Sequence, residues 1–242
     1  MKKLLFAFAL AAASLGTATA QTASVAAVSP TAAQVAPAAS AAAAPVGYVE
    51  SLTETMRAIY NTGDAAELRE LAGTCERAAS VNPTDWLPRY YQAYALLINT
   101  FQSKDSDDIK DKTLDQAEAA LAQARRLKGD ESELLALQAY IYQGRFSVSP
   151  MTRMMKYPRL VDETAAQAKQ ANPANPRPYL IAANNLYYRP SMFGGGPDAA
   201  RPLFEEAKAK FAAYHPANAL LPNWGENQVA GRLKKYAATA VK

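Results

Sequence analysis

The residue types that usually perform catalysis are scarce in this chain of 242 residues. His215 is the sole histidine and Cys75 the sole cysteine, so a His-based metal site or a Ser-His-Asp triad has little to work with. Neither Ser-x-x-Lys nor Gly-x-Ser-x-Gly occurs. Asp162 and Glu163 are adjacent, so on a helix their carboxylates point apart. The sequence therefore predicts a protein that is not an enzyme and that holds no cofactor and no metal ion.

One acidic stretch has the composition of a calcium loop. Asp105, Asp107 and Asp111 fall within a few residues of each other. An EF-hand loop needs Gly at its sixth position and Glu at its twelfth, where this chain has Lys110 and Gln116. We therefore interpret the stretch as a solvated turn with acids at a helix start.

The beginning of the chain has the pattern of an export signal. Lys2 and Lys3 precede a short apolar run, and Ala18-Thr19-Ala20 is a small-x-small cleavage site, which predicts a signal peptide over 1–20. The alternative is an uncleaved anchor, but the run is shorter than the ~20 residues that a membrane span needs. The prediction is a periplasmic or secreted protein with no stable membrane insertion after signal removal.

The following segment, 21–46, is rich in Ala, Pro, Ser and Thr, with few large apolar side chains and no charge between Lys3 and Glu50. Such a composition predicts a disordered linker, either a tether or a tolerated tail. Without Lys2 and Lys3, 24 basic residues face 22 acidic ones, and this net charge of +2 favours neither nucleic acid nor an anionic membrane as a partner.

From residue 47 to 242 the apolar residues recur with a helical period, and no segment alternates as a strand would. Asp64, Asn82-Pro83-Thr84 and Pro197-Asp198 are start signals. Cys75 is expected to be a small buried side chain within a helix. Helices are predicted near 48–61, 65–80, 84–101, 111–127, 131–143, 158–171, 176–189, 197–213 and 224–240.

Small residues repeat across the breaks between these helices. Three alanine pairs are each fifteen positions apart: Ala78 and Ala93, Ala124 and Ala139, Ala168 and Ala183. Each pair straddles a break that contains Asn-Pro or Gly-Asp. Recurrent small-to-small contacts are what stacked helical hairpins need for close approach.

The chain resembles the tetratricopeptide repeat family, of exported bacterial type, in three features. These are the repeated alanines, the prolines Pro83 and Pro173, and the stretch from Ala200 to Ala207. The resemblance covers about residues 50–215. It implies an all-α, right-handed solenoid of about four helical hairpins, followed by a C-terminal capping helix. Leu71 and Val161 depart from the pattern because the family has a small residue there.

Three insertions interrupt the repeats, at about 102–112, 146–158 and 191–196, and all lie between the two helices of a repeat. They either build a binding surface on one edge or are neutral loop variation. The second insertion contains Met151, Met154 and Met155 among basic residues. It either forms a flexible, methionine-rich edge beside a groove or packs as a small separate core. The third, Phe193-Gly-Gly-Gly, is interpreted as a structural turn because it lacks the Lys of a phosphate loop.

The resemblance also implies a binding surface, because the family holds ligands on the inner face of the first helix of each repeat. Tyr offers a large apolar face with one hydrogen-bonding tip, a combination favoured at binding surfaces. These side chains either face a concave groove or fill the interior of a tight superhelix. In this register the candidates are Tyr60, Tyr90, Tyr94, Tyr140, Arg177, Asn184, Tyr187 and Tyr188.

The function that follows is an exported binding or scaffold protein that holds a peptide or protein partner on this tyrosine-lined face. The alternative is a small-solute-binding accessory of a transport system, which predicts an enclosed pocket lined by Tyr94, Tyr140 and Tyr187.

Overall fold

The computed structural model describes residues 45–239, and every regular element in this range is a helix. The predicted signal peptide and all of the predicted linker except its last two residues lie outside the described residues. Within 45–239, no helix combines the length and apolar character that a bilayer crossing requires. The helices are α1 (Tyr48–Asn61), α2 (Ala65–Val81), α3 (Leu87–Gln102), α4 (Asp107–Arg126), α5 (Glu131–Val148), α6 (Pro150–Arg153), α7 (Tyr157–Ala171), α8 (Arg177–Tyr188), α9 (Pro197–Ala213) and α10 (Glu226–Thr239), with a 3-10 turn at Ser191–Phe193.

Local chemistry explains where several helices begin. The Asp64 carboxylate accepts hydrogen bonds from the backbone N–H groups of Ala66 and Glu67, as expected for the start of α2. Helix α3 begins at Leu87, later than the sequence predicts, because Asp85 accepts from the Leu87 N–H at 2.9 Å. Helix α4 begins four residues earlier than predicted, and its first turn carries two aspartates, which helix N-termini favour.

Successive helices form antiparallel pairs that pack in chain order. We call α1, α3, α5 and α8 the first helices, and α2, α4, α7 and α9 the second helices. Helices α2, α4 and α7 each contact the first helices on either side in sequence, and α9 contacts α8 and α10. Among the first helices, α1 contacts α3, α3 contacts α5 and α5 contacts α8. Helix α5 packs against α3, α4, α7 and α8, so apolar residues surround it instead of forming one stripe.

The alanines that repeat in the sequence lie inside this packing. Five of the six are fully buried and Ala78 is partly buried against the core. Cys75 is also fully buried, in α2. The burial predicted for these small residues is confirmed. The buried alanines are Ala93, Ala124, Ala139, Ala168 and Ala183.

The C-terminal segment, which we define as residues 214–239, does more than cap the last helix pair. Helix α10 packs against α9, as a capping helix would. The stretch before α10 also reaches back to α3, where the Tyr91 hydroxyl donates to the Leu220 carbonyl at 2.7 Å. Trp224 is 4% exposed, so its indole belongs to the core.

Candidate ligand cleft

A cleft of about 1320 Å³ lies among the first helices, the second and third insertions and α10. The first helices contribute aromatic and aliphatic side chains, including Tyr94, Phe101 and Tyr140. The second insertion contributes Phe146 and three methionines, and the third contributes Phe193. The second and third insertions are therefore walls of the cleft, whereas the first contributes only Gln102 at its start. The three methionines are Met151, Met154 and Met155.

The floor of the cleft is an aromatic stack that the C-terminal segment completes. The Trp224 ring lies between those of Tyr94 and Tyr140, with centroid distances of 5.1 Å and 5.4 Å and interplanar angles of 26° and 25°. Tyr60 meets Tyr94 edge-on at 5.8 Å, and Phe101 lies 5.4 Å from Tyr140. Stacked and edge-on contacts of this kind stabilise the floor beyond the effect of area burial.

A buried polar network lies beneath this floor. The Arg177 guanidinium is fully buried and pairs with both carboxylate oxygens of Glu133. The Tyr90 hydroxyl donates to Glu133 at 3.2 Å and accepts from the Trp224 indole N–H at 2.9 Å. Arg177 also stacks on the Tyr214 ring at 4.7 Å. Burial raises the pKa of the Glu133 carboxyl, and the charge of Arg177 opposes that rise.

The cleft-lining phenols differ in their surroundings. Burial raises the pKa of Tyr60 and of Tyr140 to about 12, and that of Tyr94 well above its ordinary value. The Tyr60 hydroxyl donates to the Tyr91 oxygen at 3.3 Å. Tyr188 is instead 63% exposed, and its oxygen accepts a hydrogen bond from the Arg232 guanidinium at 3.0 Å.

One end of the cleft is basic. Arg189 pairs with Asp162 at 2.5 Å, and Arg159 pairs with Glu163 at 2.9 Å. The Arg232 guanidinium stacks over the Tyr187 ring at 3.9 Å. Asp162 is the sole carboxylate among the described lining residues, so cations outnumber anions there. The cations are Arg159, Arg189, Arg232 and Lys235.

The structure brings five of the eight predicted site residues together at this cleft: Tyr60, Tyr94, Tyr140, Asn184 and Tyr188. The other three lie elsewhere. Tyr90 and Arg177 are in the buried network, where their polar groups serve Glu133 and Trp224 and face no open space. Tyr187 packs against Phe204 and Tyr236 and does not line the cleft.

The sequence reasoning missed the side of the cleft that α10 forms. This helix contributes Asn227, Gln228, Arg232 and Lys235, none of which was a candidate. Arg232 and Lys235 are three apart and so share one helix face, which was the available signal. Within residues 45–239, no three His, Cys, Asp or Glu side chains are grouped to hold a metal ion.

The acidic stretch and the second insertion are tied together. Asp111 accepts from Arg153 at 2.5 Å and 2.9 Å and from Arg145 at 3.2 Å. The hydrogen bonds from Arg153 are the main reason that the pKa of Asp111 lies below its ordinary value. Asp105 pairs with Arg69 at 2.9 Å. Asp111 thus ties the segment that carries the three methionines to α4 through Arg153, whereas Asp105 pairs with a residue of α2.

The described residues form an all-helical fold with one large cleft, and comparison with known proteins defines the family of the chain. No protein-family model and no curated protein sequence matches the chain. Among solved structures, the HusA haemophore from Porphyromonas gingivalis is similar at 34% sequence identity and a TM-score of 0.71. The similarity covers 81% of this chain and 96% of that one. The chain belongs to the family of the HusA haemophore.

Proposed function

We propose that this chain is an exported, non-enzymatic binding protein that holds a haem-type porphyrin in the cleft. The observation that carries the proposal is the combination of an apolar, aromatic and methionine-rich cleft with a cluster of cations at one end. A porphyrin is a flat apolar ring with carboxylates on one edge, so it matches both parts. The haemophore relative supports the same ligand class.

The size of the cleft supports a large flat ligand. Small-molecule sites commonly have volumes of roughly 300–1,000 Å³. The cleft exceeds that range at about 1320 Å³, so its volume is large enough for a macrocycle. Phe101, Phe146 and Met154 offer apolar contact to its faces. Thioether side chains are adaptable and tolerate different ring substituents.

The charges at the basic end support an orientation. Arg159 and Arg189 each pair with an acid that is half exposed, so water already screens those pairs. A ligand carboxylate can therefore join or replace these acids at small cost. We place the porphyrin carboxylates beside Arg159, Arg189 and Lys235, and the ring over the methionines and aromatic side chains.

The helix packing supports the tetratricopeptide-type architecture as the frame of this site. Antiparallel pairs follow in chain order and each first helix contacts the next, which is the arrangement expected of four stacked hairpins. The handedness of a right-handed solenoid remains part of this proposal. In that frame the first helices line the concave face, and the C-terminal segment covers part of it.

A peptide or protein partner, which the sequence favours, is the second candidate. The observation that supports it is the rim, where Met151 and Met155 are each 84% exposed. The C-terminal segment opposes it, because Trp224 occupies the concave face where an extended peptide would run. Loss of a captured envelope protein from Met151→Asp/Met155→Asp, with porphyrin affinity retained, would support this second role.

The test is titration of the purified chain with ferric protoporphyrin IX, followed by tryptophan fluorescence and absorbance. Trp224 stacks on two cleft residues, so saturable quenching is expected on binding. Gly231 lines the cleft and a Cβ built there meets no atom within 4 Å, so the backbone tolerates a side chain there and Gly231→Trp directs a ring towards the cleft.

The matched control is Gly73→Trp in α2, where a Cβ meets only the Arg77 guanidinium at 3.5 Å, outside this cleft. We expect Gly231→Trp to weaken porphyrin binding by tenfold or more, about 1.4 kcal/mol, and Gly73→Trp to leave it unchanged. Absence of saturable binding to the unaltered chain, or equal losses in both variants, would exclude the cleft as a porphyrin site.

A further inference from the structure

The wall of the cleft that the second insertion forms carries three thioethers within five residues. Met151 and Met155 are each 84% exposed, Met154 is partly buried, and all three line the cleft. Exposed apolar side chains that lie together mark a binding surface. The proposed porphyrin contact uses the apolar character of these side chains but not their sulfur atoms, which are soft ligands for metal ions.

The backbone brings the thioethers together. Met151 lies in α6, and Met154, which follows that helix, keeps right-handed helical torsion angles. Residues three apart in a helical turn are neighbours, with Cβ atoms about 5–6 Å apart. Met155 follows in a turn that the Lys156 N–H closes by donating to the Arg153 carbonyl at 3.2 Å. The side chain of methionine is long and adaptable, so three of them on one wall can place their sulfur atoms around one ion.

The side chain of Arg153 ties this segment to the body of the protein. Its guanidinium donates to the Asp111 carboxylate at 2.5 Å and 2.9 Å and to the Arg145 carbonyl at 2.8 Å. These partners belong to α4 and α5, so the backbone between Met151 and Met154 is held from outside the segment. Such anchoring reduces the conformational entropy that the thioethers lose when they close on an ion.

The surroundings favour a soft ion of low charge. Thioethers select Cu(I), whereas carboxylates suit hard ions and imidazole suits Zn²⁺. Within residues 45–239, no three His, Cys, Asp or Glu side chains are grouped to hold a metal ion. Lys156 follows Met155 directly, and Arg159 lines the same cleft. These two cations repel a divalent ion more strongly than a monovalent one.

We infer that Met151, Met154 and Met155 form a three-thioether site for one Cu(I) ion at the wall of the cleft. The ion binds as Cu(I) and stays Cu(I), so no oxidant or reductant takes part. Each bond forms from a sulfur lone pair, and no proton is displaced. This site goes beyond the proposed function and does not require a porphyrin to be present.

The test is an anaerobic titration of the full chain with Cu(I), kept reduced by ascorbate, against the chromophoric Cu(I) chelator bicinchoninate. Leucine keeps the approximate volume of methionine and removes the sulfur atom. We expect the unaltered chain to take one ion from the chelator, and Met151→Leu/Met155→Leu to bind it tenfold or more weakly. Met192→Leu is the matched control, because Met192 is also 84% exposed but lies outside the cleft.

Cys75 is the competing soft ligand, and its surroundings disfavour this role. It is fully buried in α2, and burial raises the pKa of its thiol to about 12. Cys75→Ala should therefore keep the Cu(I) affinity of the unaltered chain. That affinity should also stay constant between about pH 6 and pH 8, because thiols and imidazoles must lose a proton to bind a metal and thioethers carry none.

A second measurement locates the ion. With Ag(I) as a redox-stable soft probe, the methyl NMR signals of Met151, Met154 and Met155 should shift, and those of Met56 and Met192 should not. The inference fails if the unaltered chain takes no Cu(I) from the chelator, or if Met192→Leu or Cys75→Ala loses as much affinity as the double variant. Porphyrin titration without copper is a separate measurement, so failure of the copper site leaves the proposed function standing.

Discussion

The indole N–H of Trp224 donates to the phenolic oxygen of Tyr90 at 2.9 Å, although 134 positions separate the two residues. This contact joins the C-terminal segment to α3. It also places the Trp224 ring between Tyr94 and Tyr140. The same residue therefore anchors the C-terminal segment to the helices and forms part of the floor of the cleft. Trp224 therefore contributes both to the core and to the floor of the cleft.

Truncation of Trp224 is expected to be costly. Trp224→Ala removes a buried ring and leaves a cavity between two tyrosines, which should lower the free energy of unfolding by about 3–5 kcal/mol. Trp224→Phe keeps an aromatic ring in the stack and loses mainly the hydrogen bond, which contributes about 0.5–1.5 kcal/mol. Urea denaturation measures both values. Similar losses in the two variants would mean that the stack contributes little.

Removal of Arg177 should leave the Glu133 carboxylate buried in the core without a cationic partner. Glu133 is 5% exposed, and Arg177 is its only cationic partner among the described contacts. Arg177→Leu should therefore cost about 3–5 kcal/mol at neutral pH. The double variant Arg177→Leu/Glu133→Gln removes the stranded charge and keeps an acceptor for Tyr90, so it should recover part of that loss. A double variant as unstable as the single one would contradict this account.

The pH dependence of Arg177→Leu has a definite sign. Burial already raises the pKa of Glu133, and removing Arg177 takes away the charge that opposes this rise. A group whose pKa is higher in the folded state stabilises the fold below its unfolded pKa, about 4.3 for Glu, and that contribution is lost as pH rises. The deficit of the variant should thus be largest at pH 7 and shrink towards pH 4, measured by denaturation across that range.

The helical frame was largely predictable because local signals are strong there. The cap at Asp64, the Pro at the start of α9 and the buried alanines are features that act within one or two turns of helix. The ends of α4 and α5 were less predictable. Asp107 extends α4 towards the N-terminus, and packing of α5 on four neighbours keeps it helical beyond residue 143.

The site was predictable only in part, because its geometry depends on contacts between distant residues. The repeat register aligned Tyr60, Tyr94 and Tyr140, and the structure has all three at one cleft. The same register treated Arg177 as surface, since nothing local shows that Glu133 lies opposite it across 44 positions. The register also treated the C-terminal helix as a simple cap. The stretch before α10, which reaches back to Tyr90, has no helical period that could have predicted this contact.

Asp111 is expected to control the order of the methionine-bearing wall. It holds Arg153 and Arg145 together, and the segment from 150 to 156 has few other polar contacts to the body of the protein. Asp111→Asn removes the charge while keeping the shape, so amide hydrogen exchange should quicken over 146–158 and stay unchanged in α2. Asp105→Asn, which affects the exposed pair with Arg69, is the control. Equal protection of 146–158 in both variants would show that packing alone orders this wall.

Two glycines should respond to the same substitution with opposite signs. A Cβ at Gly195 would lie 2.4 Å from both the Cβ and the carbonyl oxygen of Arg189, so Gly195→Ala must open the turn. Overpacking of this kind costs about 1–3 kcal/mol. At Gly231, within α10, a Cβ meets no atom within 4 Å, and Ala stabilises a helix interior by about 0.5–1 kcal/mol relative to Gly.

Thermal and urea denaturation of the two alanine variants therefore give a paired test. Gly195→Ala should unfold more easily than the unaltered chain, and Gly231→Ala less easily. The turn at Gly195 also carries Arg189 and Phe193, both of which line the cleft, so Gly195→Ala should weaken porphyrin binding as well. A Gly195→Ala protein with unchanged stability and affinity would mean that the third insertion adapts freely and does not shape the cleft. In that case the cations beside the third insertion, and not the turn at Gly195, would define the basic end of the cleft.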